Sequence, residues 1–308
     1  MRKLRKGSET RYYDMIFVNL QMFCKMREKM EDKTIDIEDI LRKKFNGKAP
    51  KLLTKVLKRL IHQDFINEYL KQGYEGVEFC ENAIKYLNVK IEVEGLENLP
   101  DAPGTRLTFV SNHPLGGVDG IALAGIIGRK YDGKIKLMVN DFLMHLGGLA
   151  PLCIPVNAKI RKKGQEIGTQ NRDLPRLTNE IFGSDNQVLM FPAGLCSRKI
   201  EGRIQDLVWS KVFVAKSVEH HRDIVPVHFI GENSGRFYRV ANLSSILRLK
   251  FNIAMAFLPD ELYRAQGKTF RIVFGKPIPW QSFDKSRSPK EWAQEVRSAV
   301  YSLGKKDK

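Results

Sequence analysis

Residues 107–120 have the sequence LTFVSNHPLGGVDG, and this stretch decides the fold. Its first five residues predict a buried strand, the paired glycines predict a sharp turn, and the apolar residues from Ile121 onwards predict a helix. A histidine lies at the turn, and a carboxylate follows six residues later. Because α/β proteins keep their chemistry at the carboxyl ends of strands, the stretch predicts a base and its orienting acid at such an end.

Strands and helices alternate along the chain from about residue 89. Apolar and alternating runs predict strands at residues 89–93, 107–111, 135–139, 153–156, 187–191, 224–230 and 270–274. Helical spacing predicts helices at residues 121–130, 174–182, 205–218 and 289–303. This alternation indicates an α/β fold with a mixed, largely parallel sheet flanked by helices.

The beginning of the chain has a helical pattern, so we divide the sequence into an N-terminal amphipathic helical region at residues 1–88 and an α/β domain at residues 89–308. Within the first region, helical periodicity predicts helices at residues 1–30, 34–46 and 51–72. Four basic side chains flank the apolar stripe of the third helix: Lys51, Lys55, Lys58 and Arg59. That helix is open to two interpretations, because it suits packing on the main domain as well as contact with a membrane or a carrier protein.

The charge of the chain narrows the choice of partners. Of 308 residues, 52 are Lys or Arg and 35 are Asp or Glu, which gives a formal net charge of +17 at pH 7. Nucleic acid, an anionic membrane surface and an acidic protein or ligand all suit such a charge. The sequence has no RNP signature, zinc finger or interleaved basic and aromatic run, so nucleic acid is not expected.

The cysteines and the hydropathy bear on cellular location. The four cysteines form no CxxC pair, which predicts reduced thiols in a cytoplasmic protein rather than a zinc site or a disulfide framework. No window of eighteen uncharged apolar residues is present, and the basic N-terminus precedes a broken apolar run that makes a poor signal peptide. We therefore expect a cytoplasmic protein that lies on a membrane without spanning it.

The turn at His113 has the residues that base catalysis needs. Gly116 and Gly117 permit a tight path, and their backbone amides are candidates for binding an oxyanion. Residues six apart point in different directions on a continuous helix, so the turn must bend for Asp119 to reach the imidazole. Asp119 would then fix the tautomer of His113 and leave Nε2 to accept a proton. Considered alone, the two side chains are equally compatible with structural roles.

Four stretches together resemble the motifs of the glycerophospholipid (PlsC-like, lysophospholipid) acyltransferases. NHPLGGVD at residues 112–119 resembles the first motif, an Asn-His followed after a short spacer by Asp. IPVN at 154–157, FPAGLCSR at 191–198 and VPVH at 225–228 resemble the second, third and fourth motifs, in the order of the family. The resemblance covers about residues 90–280.

The resemblance implies transfer of an acyl group from a thioester, acyl-ACP (acyl carrier protein) or acyl-CoA, to an acceptor hydroxyl. His113 would be the general base and Asp119 its orienting acid, with Gly116 and Gly117 at the oxyanion. No metal or other cofactor is implied, and Cys196 need not act as a nucleophile. Further residues of the motifs are predicted to bind the acceptor or the donor: Asn112, Asn157, Phe191, Pro192, Gly194, Ser197, Arg198 and Lys199.

Three departures from the family pattern bear on the acceptor. The spacer between His113 and Asp119 has five residues where the family has four, Ala193 replaces a glutamate, and Asn157 replaces an arginine. The family side chains are associated with a phosphate-bearing glycerol acceptor. The longer run NHPLGGxDG resembles instead a branch that acylates lyso-amino-acid lipids, such as lyso-glycine or lyso-ornithine lipid.

We therefore expect a peripheral enzyme on the inner face of the cytoplasmic membrane that O-acylates a lyso-amino-acid lipid. Its expected partners are acyl carrier protein or acyl-CoA, the lyso-lipid acceptor and an anionic membrane surface. Two alternatives stay open: a 1-acylglycerol-3-phosphate acyltransferase and, from another class, a non-catalytic protein that binds lipid or acyl carrier protein.

Overall fold

The computed structural model of the chain describes residues 34–44, 47, 49–102, 104–139, 146–155, 169–246 and 256–305. The helix predicted at residues 1–30 and the predicted binding residue Asn157 lie outside these ranges.

The secondary structure follows the predicted alternation. The described helices are α1 Ile37–Lys44, α2 Lys51–Leu60, α3 Gln63–Leu70, α4 Gly76–Tyr86, α5 Val118–Lys130, α6 Thr169–Gly183, α7 Val212–Glu219, α8 Gly235–Ile246, α9 Leu258–Arg264 and α10 Pro289–Leu303. The described strands are β1 Lys90–Glu94, β2 Leu107–Ser111, β3 Ile135–Val139, β4 Cys153–Pro155, β5 Gln187–Met190, β6 Arg198–Ile200, β7 Arg203–Gln205, β8 Asp223–Ile230 and β9 Thr269–Phe274.

Seven of the described strands form one sheet in the order β1-β9-β8-β2-β5-β3-β4. Every neighbouring pair in it is parallel except β8 and β9, which are antiparallel. The strands β6 and β7 form a separate antiparallel hairpin. The predicted α/β fold, with a mixed and largely parallel sheet, flanking helices and N-terminal helices, is confirmed.

Consecutive residues of the central strands point to opposite faces of the sheet, and each face has its own apolar core. Phe109 of β2 lies in a core that includes residues of α4 and α5. Val110, the next residue, lies in a second core that includes residues of α7 and α10. Both side chains are fully buried. A sheet covered on both faces requires continuously apolar strands, which explains the composition of β2.

The N-terminal helices contribute to the first of these cores. Tyr69 and Leu70 of α3 and Phe79 and Cys80 of α4 are buried in the cluster that contains the central strands. The helix α4 also packs against α5, whose first turn carries Asp119. The division of the chain at residues 88 and 89 stays a prediction.

The single helix predicted at residues 51–72 is wrong, because the chain breaks between α2 and α3. His62 adopts a left-handed conformation with φ of 52° and begins a new helix direction. Its ring stacks on Tyr263 at a centroid distance of 3.8 Å, and its Nε2 lies 2.8 Å from Asp260 Oδ1. These contacts join residues about 200 positions apart in the chain, so helical periodicity gives no sign of them.

The helix predicted at residues 205–218 is wrong in its first half. Gln205 ends β7, and α7 begins only at Val212. Between them the chain turns inward: Asp206 and Trp209 are each 1% exposed, and Ser210 N–H donates to Pro192 O at 2.9 Å. The periodicity also misses several elements: α4, the β6–β7 hairpin, α8 and α9.

Candidate active site

The site lies where three neighbouring strands end. β5, β2 and β8 are adjacent and parallel, so their carboxyl ends meet at one edge of the sheet. β2 is followed by Asn112 and His113, β5 by Phe191, and β8 by the segment that contains Asn233. Ligands bind at this edge in α/β sheets, as the sequence predicts for the stretch at 107–120.

His113 and Asp119 form the centre of the site. His113 Nδ1 donates to Asp119 Oδ2 at 3.0 Å, and the side chains are 20% and 0% exposed, respectively. Because an ionised carboxylate only accepts hydrogen bonds, the Nδ1 atom carries the proton and Nε2 is left with its lone pair. The glycine turn therefore bends enough for a carboxylate six residues away to reach the imidazole.

Backbone amides fix the position of Asp119. Its Oδ2 accepts from Leu115 N–H at 2.9 Å and from Gly116 N–H at 3.2 Å, and its Oδ1 accepts from Gly120 N–H at 2.9 Å. The residue lies in the first turn of α5, where the helix dipole also favours a negative charge. The Gly116 amide is thus engaged with Asp119, which leaves Gly117 as the glycine predicted for the oxyanion.

Gly116 is required for this geometry. Its φ is 74°, in the left-handed region that favours glycine, and an added Cβ would lie 2.7 Å from Leu258 Cδ2 of α9. A helix from a distant part of the chain, α9, therefore packs against the turn.

The electrostatics of the pair favour the charged form of both groups. Burial raises the pKa of Asp119, but the charge of His113, its hydrogen bond and the backbone amides outweigh burial and hold the pKa below its ordinary value. Burial lowers the pKa of His113, while the charge and hydrogen bond of Asp119 and the charge of Asp206 raise it, with a net increase. The pair therefore stabilises an imidazolium, as a general base requires when it takes a proton.

The third motif lies directly against the imidazole. Phe191 stacks on the His113 ring at a centroid distance of 4.1 Å and an interplanar angle of 27°. Pro192 is buried, and Gly194 closes a turn by donating to Phe191 O at 2.9 Å. Ala193, at the position of the family glutamate, packs against the second apolar core and so brings no charge there.

The side chain of Asn112 points away from the imidazole and joins two strands. Its Nδ2 donates to Phe229 O at 2.9 Å, and its Oδ1 accepts from Phe229 N–H at 2.8 Å. Asn112 is 3% exposed. This pairing fixes the end of β2 to β8, and the predicted contact of Asn112 with acceptor or donor stays a prediction.

The end of the third motif folds back onto the first. Ser197 N–H donates to His113 O at 2.8 Å, and the Ser197 hydroxyl donates to Asp206 Oδ1 at 2.5 Å. The Arg198 guanidinium donates to Cys196 O at 2.7 Å and is half-buried, whereas Lys199 is exposed. The structure thus places Ser197 and Arg198 close to the turn, while their binding roles stay predictions.

Cys196 is buried, with 7% of the residue exposed. Its thiol donates to Pro114 O at 3.2 Å. Burial raises the pKa of the thiol well above its ordinary value, which keeps it protonated. A protonated thiol is a poor nucleophile.

Two buried polar residues beside the turn are not predicted by any motif of the sequence. Asp206 Oδ1 accepts from His113 N–H at 3.2 Å, and Asn233 Nδ2 donates to Pro114 O at 3.2 Å and Leu115 O at 3.3 Å. They are 1% and 8% exposed. No motif marks either residue, since both reach the turn only through the packing of other segments.

In the described ranges, no group of three or more His, Cys, Asp or Glu side chains is arranged to hold a metal ion. Of the helices that the structure describes, none combines the length and apolarity needed to cross a bilayer.

Comparisons with known proteins give the chain its relatives. The profile of the acyltransferase family matches residues 41–307. The lyso-glycine lipid O-acyltransferases of Phocaeicola vulgatus and Bacteroides thetaiotaomicron are each 50% identical to the chain over 274 residues, covering 87% of it and 95% and 97% of the relatives. The crystal structure of the 1-acyl-sn-glycerophosphate acyltransferase PlsC from Thermotoga maritima aligns with a TM-score of 0.44 and 15% identity, over 86% of this chain and 88% of that one.

Proposed function

The chain belongs to the acyltransferase family and is an O-acyltransferase, and we propose that it acylates the hydroxyl of a lyso-glycine lipid from a thioester donor with His113 as general base. The observation that carries this proposal is the His113–Asp119 pair at the carboxyl end of β2, in a chain 50% identical to two enzymes with that acceptor in their names.

The proposed reaction follows from the state of the pair. Nε2 of His113 takes the proton of the acceptor hydroxyl as its oxygen attacks the thioester carbonyl carbon. Asp119 stays ionised and stabilises the imidazolium that forms. The tetrahedral intermediate collapses by breaking the C–S bond, and the imidazolium returns its proton to the leaving thiolate. The products are an ester and a free thiol.

The residues around the pair suit a reaction without a covalent enzyme intermediate. The buried, protonated thiol of Cys196 supports direct attack by the acceptor. In our proposal the Gly117 amide and Arg198 stabilise the negative charge of the intermediate. The Gly116 amide and the Ser197 hydroxyl do not, since each already donates to a carboxylate.

The acceptor proposal is supported by the absence of the family's phosphate-associated charge. Ala193 packs in an apolar cluster at the position where the family has glutamate. A glycine lipid carries a carboxylate where lysophosphatidic acid carries a phosphate, so it does not require the same phosphate site. The donor is acyl carrier protein or acyl-CoA, and the net charge of +17 suits either acidic molecule.

The assay of this proposal uses purified protein, an acyl-ACP or acyl-CoA donor, and either lyso-glycine lipid or lysophosphatidic acid. We expect mass spectrometry to detect a diacylated glycine lipid, and we expect His113→Ala to reduce kcat/KM by roughly 10²- to 10⁴-fold. Transfer to lysophosphatidic acid alone would overturn the acceptor, and full activity of His113→Ala would overturn the mechanism.

We further propose that α2 lies on an anionic membrane surface. Of its residues, only Thr54 is buried, and the exposed side chains include Leu52 at 76% and Val56 at 54%. Lys51, Lys55 and Arg59 are exposed beside them. Exposed apolar side chains flanked by cations suit a layer of acidic headgroups. Lys58 differs from the other three because it lies 3.7 Å from both Asp36 and Glu38.

Binding to phosphatidylglycerol-containing vesicles tests the role of α2. A triple variant in which Lys51, Lys55 and Arg59 are each replaced by glutamine should bind these vesicles roughly tenfold to hundredfold more weakly. Each cation near such a surface contributes about 1 kcal/mol to binding. The matched control removes three exposed lysines elsewhere: Lys276, Lys285 and Lys290. Equal weakening in the two triple variants would indicate a general charge effect and would count against a membrane role of α2.

A further inference from the structure

Asp206 is the second buried carboxylate of the site, and it joins three segments of the chain. Its Oδ1 accepts from His113 N–H at 3.2 Å and from the Ser197 hydroxyl at 2.5 Å. Its Oδ2 accepts from the Trp209 indole N–H at 2.9 Å. The side chain thus holds the backbone of the proposed base, the end of the third motif and the segment that leads into α7.

The backbone of Asp206 is held equally firmly. Its N–H donates to the Tyr301 hydroxyl at 2.8 Å, and its carbonyl oxygen accepts from Arg297 at 2.7 Å. Both partners belong to α10, the last helix of the described chain. The residue is 1% exposed. The helix α10 therefore helps to fix where this carboxylate lies.

We propose that Asp206 is a positioning residue of the acyl transfer reaction, which holds the backbone of His113 in place and adds a second negative charge near its imidazole. This inference rests on the proposed role of His113. It assigns two carboxylates to one histidine: Asp119 binds Nδ1 directly, while Asp206 acts through the main chain and through its charge.

Three groups donate to the Asp206 carboxylate, namely the His113 N–H, the Ser197 hydroxyl and the Trp209 indole, and this set of donors suits its ionised form. Burial raises the pKa of Asp206 above its ordinary value, although its contacts with Ser197, Trp209 and His113 act in the opposite direction and offset part of this increase. The charge of Asp206 in turn raises the pKa of His113. Loss of this charge should therefore lower the pKa of the base.

Asp206→Asn tests the proposal because it removes the charge at nearly constant size. An asparagine amide must place its NH₂ group against either the Trp209 indole or the His113 amide, and neither of these can accept a hydrogen bond. We expect kcat to fall roughly tenfold to hundredfold with a smaller change in KM, because the misplaced base is felt in the transition state.

The pH profile separates positioning from a general structural role. The base is active when deprotonated, so a lower pKa of His113 shifts the acid limb of kcat/KM to lower pH, by roughly one unit. Trp209→Phe removes one donor and keeps the charge, so its acid limb should coincide with that of the wild-type enzyme. Asp223→Asn is the matched control. Asp223 begins β8, so it lies at the amino ends of the strands, away from the site, and it accepts from Trp280 N–H at 3.0 Å.

An NMR titration of the His113 ring gives the same answer without relying on activity. The resonance is assigned by comparison with His113→Gln among the six histidines of the chain. A lower ring pKa in Asp206→Asn, but not in Asp223→Asn, supports the proposal. An unmoved ring pKa and acid limb in a folded Asp206→Asn enzyme overturns it. Full activity of His113→Ala would instead overturn the proposed function, so the two failures are distinguishable.

Discussion

Two His–Asp pairs of the molecule have nearly the same geometry and different surroundings. His113 lies 3.0 Å from Asp119 at the edge of the sheet, and His62 lies 2.8 Å from Asp260 where the N-terminal helices meet α9. In both pairs the histidine is partly exposed, at 20% and 23%, and the aspartate is buried. Distance and burial alone therefore do not distinguish them.

The other partners of each aspartate make the difference. Among the described residues, Asp119 accepts only from His113 and from neutral backbone amides, so its charge is directed at the imidazole. Asp260 also binds the guanidinium groups of Arg236 and Arg264, so two cations already balance its charge. Of the two pairs, only His113–Asp119 therefore directs the charge of its aspartate at the imidazole alone, which is the arrangement that a general base would need.

The largest effect should come from exchanging each aspartate for asparagine. Asp119→Asn places an amide NH₂ among four N–H donors and removes the charge that stabilises the imidazolium. We expect kcat to fall roughly 10²- to 10⁴-fold. Asp260→Asn makes the same chemical change at the other pair and should lower thermal stability while kcat stays near that of the wild-type enzyme.

Steady-state kinetics and calorimetry on the two variants check this prediction. The contrast between the pairs fails if both variants lose kcat to a similar extent, or if Asp119→Asn retains it.

The second-largest effect on kcat should come from the glycine turn, which is a feature of the His113–Asp119 pair and not of the His62–Asp260 pair. Gly116→Ala places a residue with a side chain in the left-handed region, which costs about 1–2 kcal/mol. Its Cβ also clashes with Leu258 Cδ2. The amide that binds Asp119 then shifts, and we expect kcat to fall roughly tenfold to hundredfold. The matched variant is Gly120→Ala. Gly120 lies in α5, and its added Cβ would be 3.7 Å from the Phe191 ring.

Gly120→Ala should retain most of the activity and the wild-type melting temperature, because alanine suits a helix and the contact is of ordinary length. If the two alanine variants have equal kcat values, the conformation of Gly116 does not hold the catalytic geometry.

The sequence predicts the first pair because its residues lie within one local motif. His113, Asp119 and the glycine turn are eight residues or fewer apart, and the motif resemblance adds Phe191, which stacks on the imidazole. Asp206 and Asn233 reach the turn through the hairpin and the end of β8, and the sequence gives no sign of them. For Ser197 the sequence predicts a substrate contact, which stays a prediction, and the sequence gives no sign that its hydroxyl donates to Asp206.

The fold follows the same division between local and distant information. The strands β2, β3 and β5 are predicted well because a strand buried on both faces is continuously apolar. The break at His62 and the short helix α9 depend on contacts across the chain. Asp260 and Glu261 of α9 are buried against Arg236, Arg264 and Ser234, which no local pattern of seven residues can predict.

The smallest effect should come from the second pair itself. In His62→Gln the ring that stacks on Tyr263 at 3.8 Å is lost, and the flexible glutamine amide is a less well-ordered donor for Asp260 than the stacked imidazole. Asp260 retains its two arginines, so no buried charge is left alone. We expect a loss of about 1 kcal/mol, which lowers Tm by roughly 2–4 °C in a domain of this size, and no change in kcat.

The pH dependence of that loss identifies its origin. Burial raises the pKa of Asp260, but the hydrogen bonds of His62 and Arg264 and the nearby charges hold it below its ordinary value. A carboxylate with a lowered pKa stabilises the fold above its unfolded pKa, and this contribution disappears as the pH falls through the folded pKa. Urea unfolding at several pH values should therefore show the wild-type and His62→Gln curves converging in acid to the difference that stacking alone contributes. A difference in stability that is the same at every pH would assign the whole effect of His62 to its ring and none to Asp260.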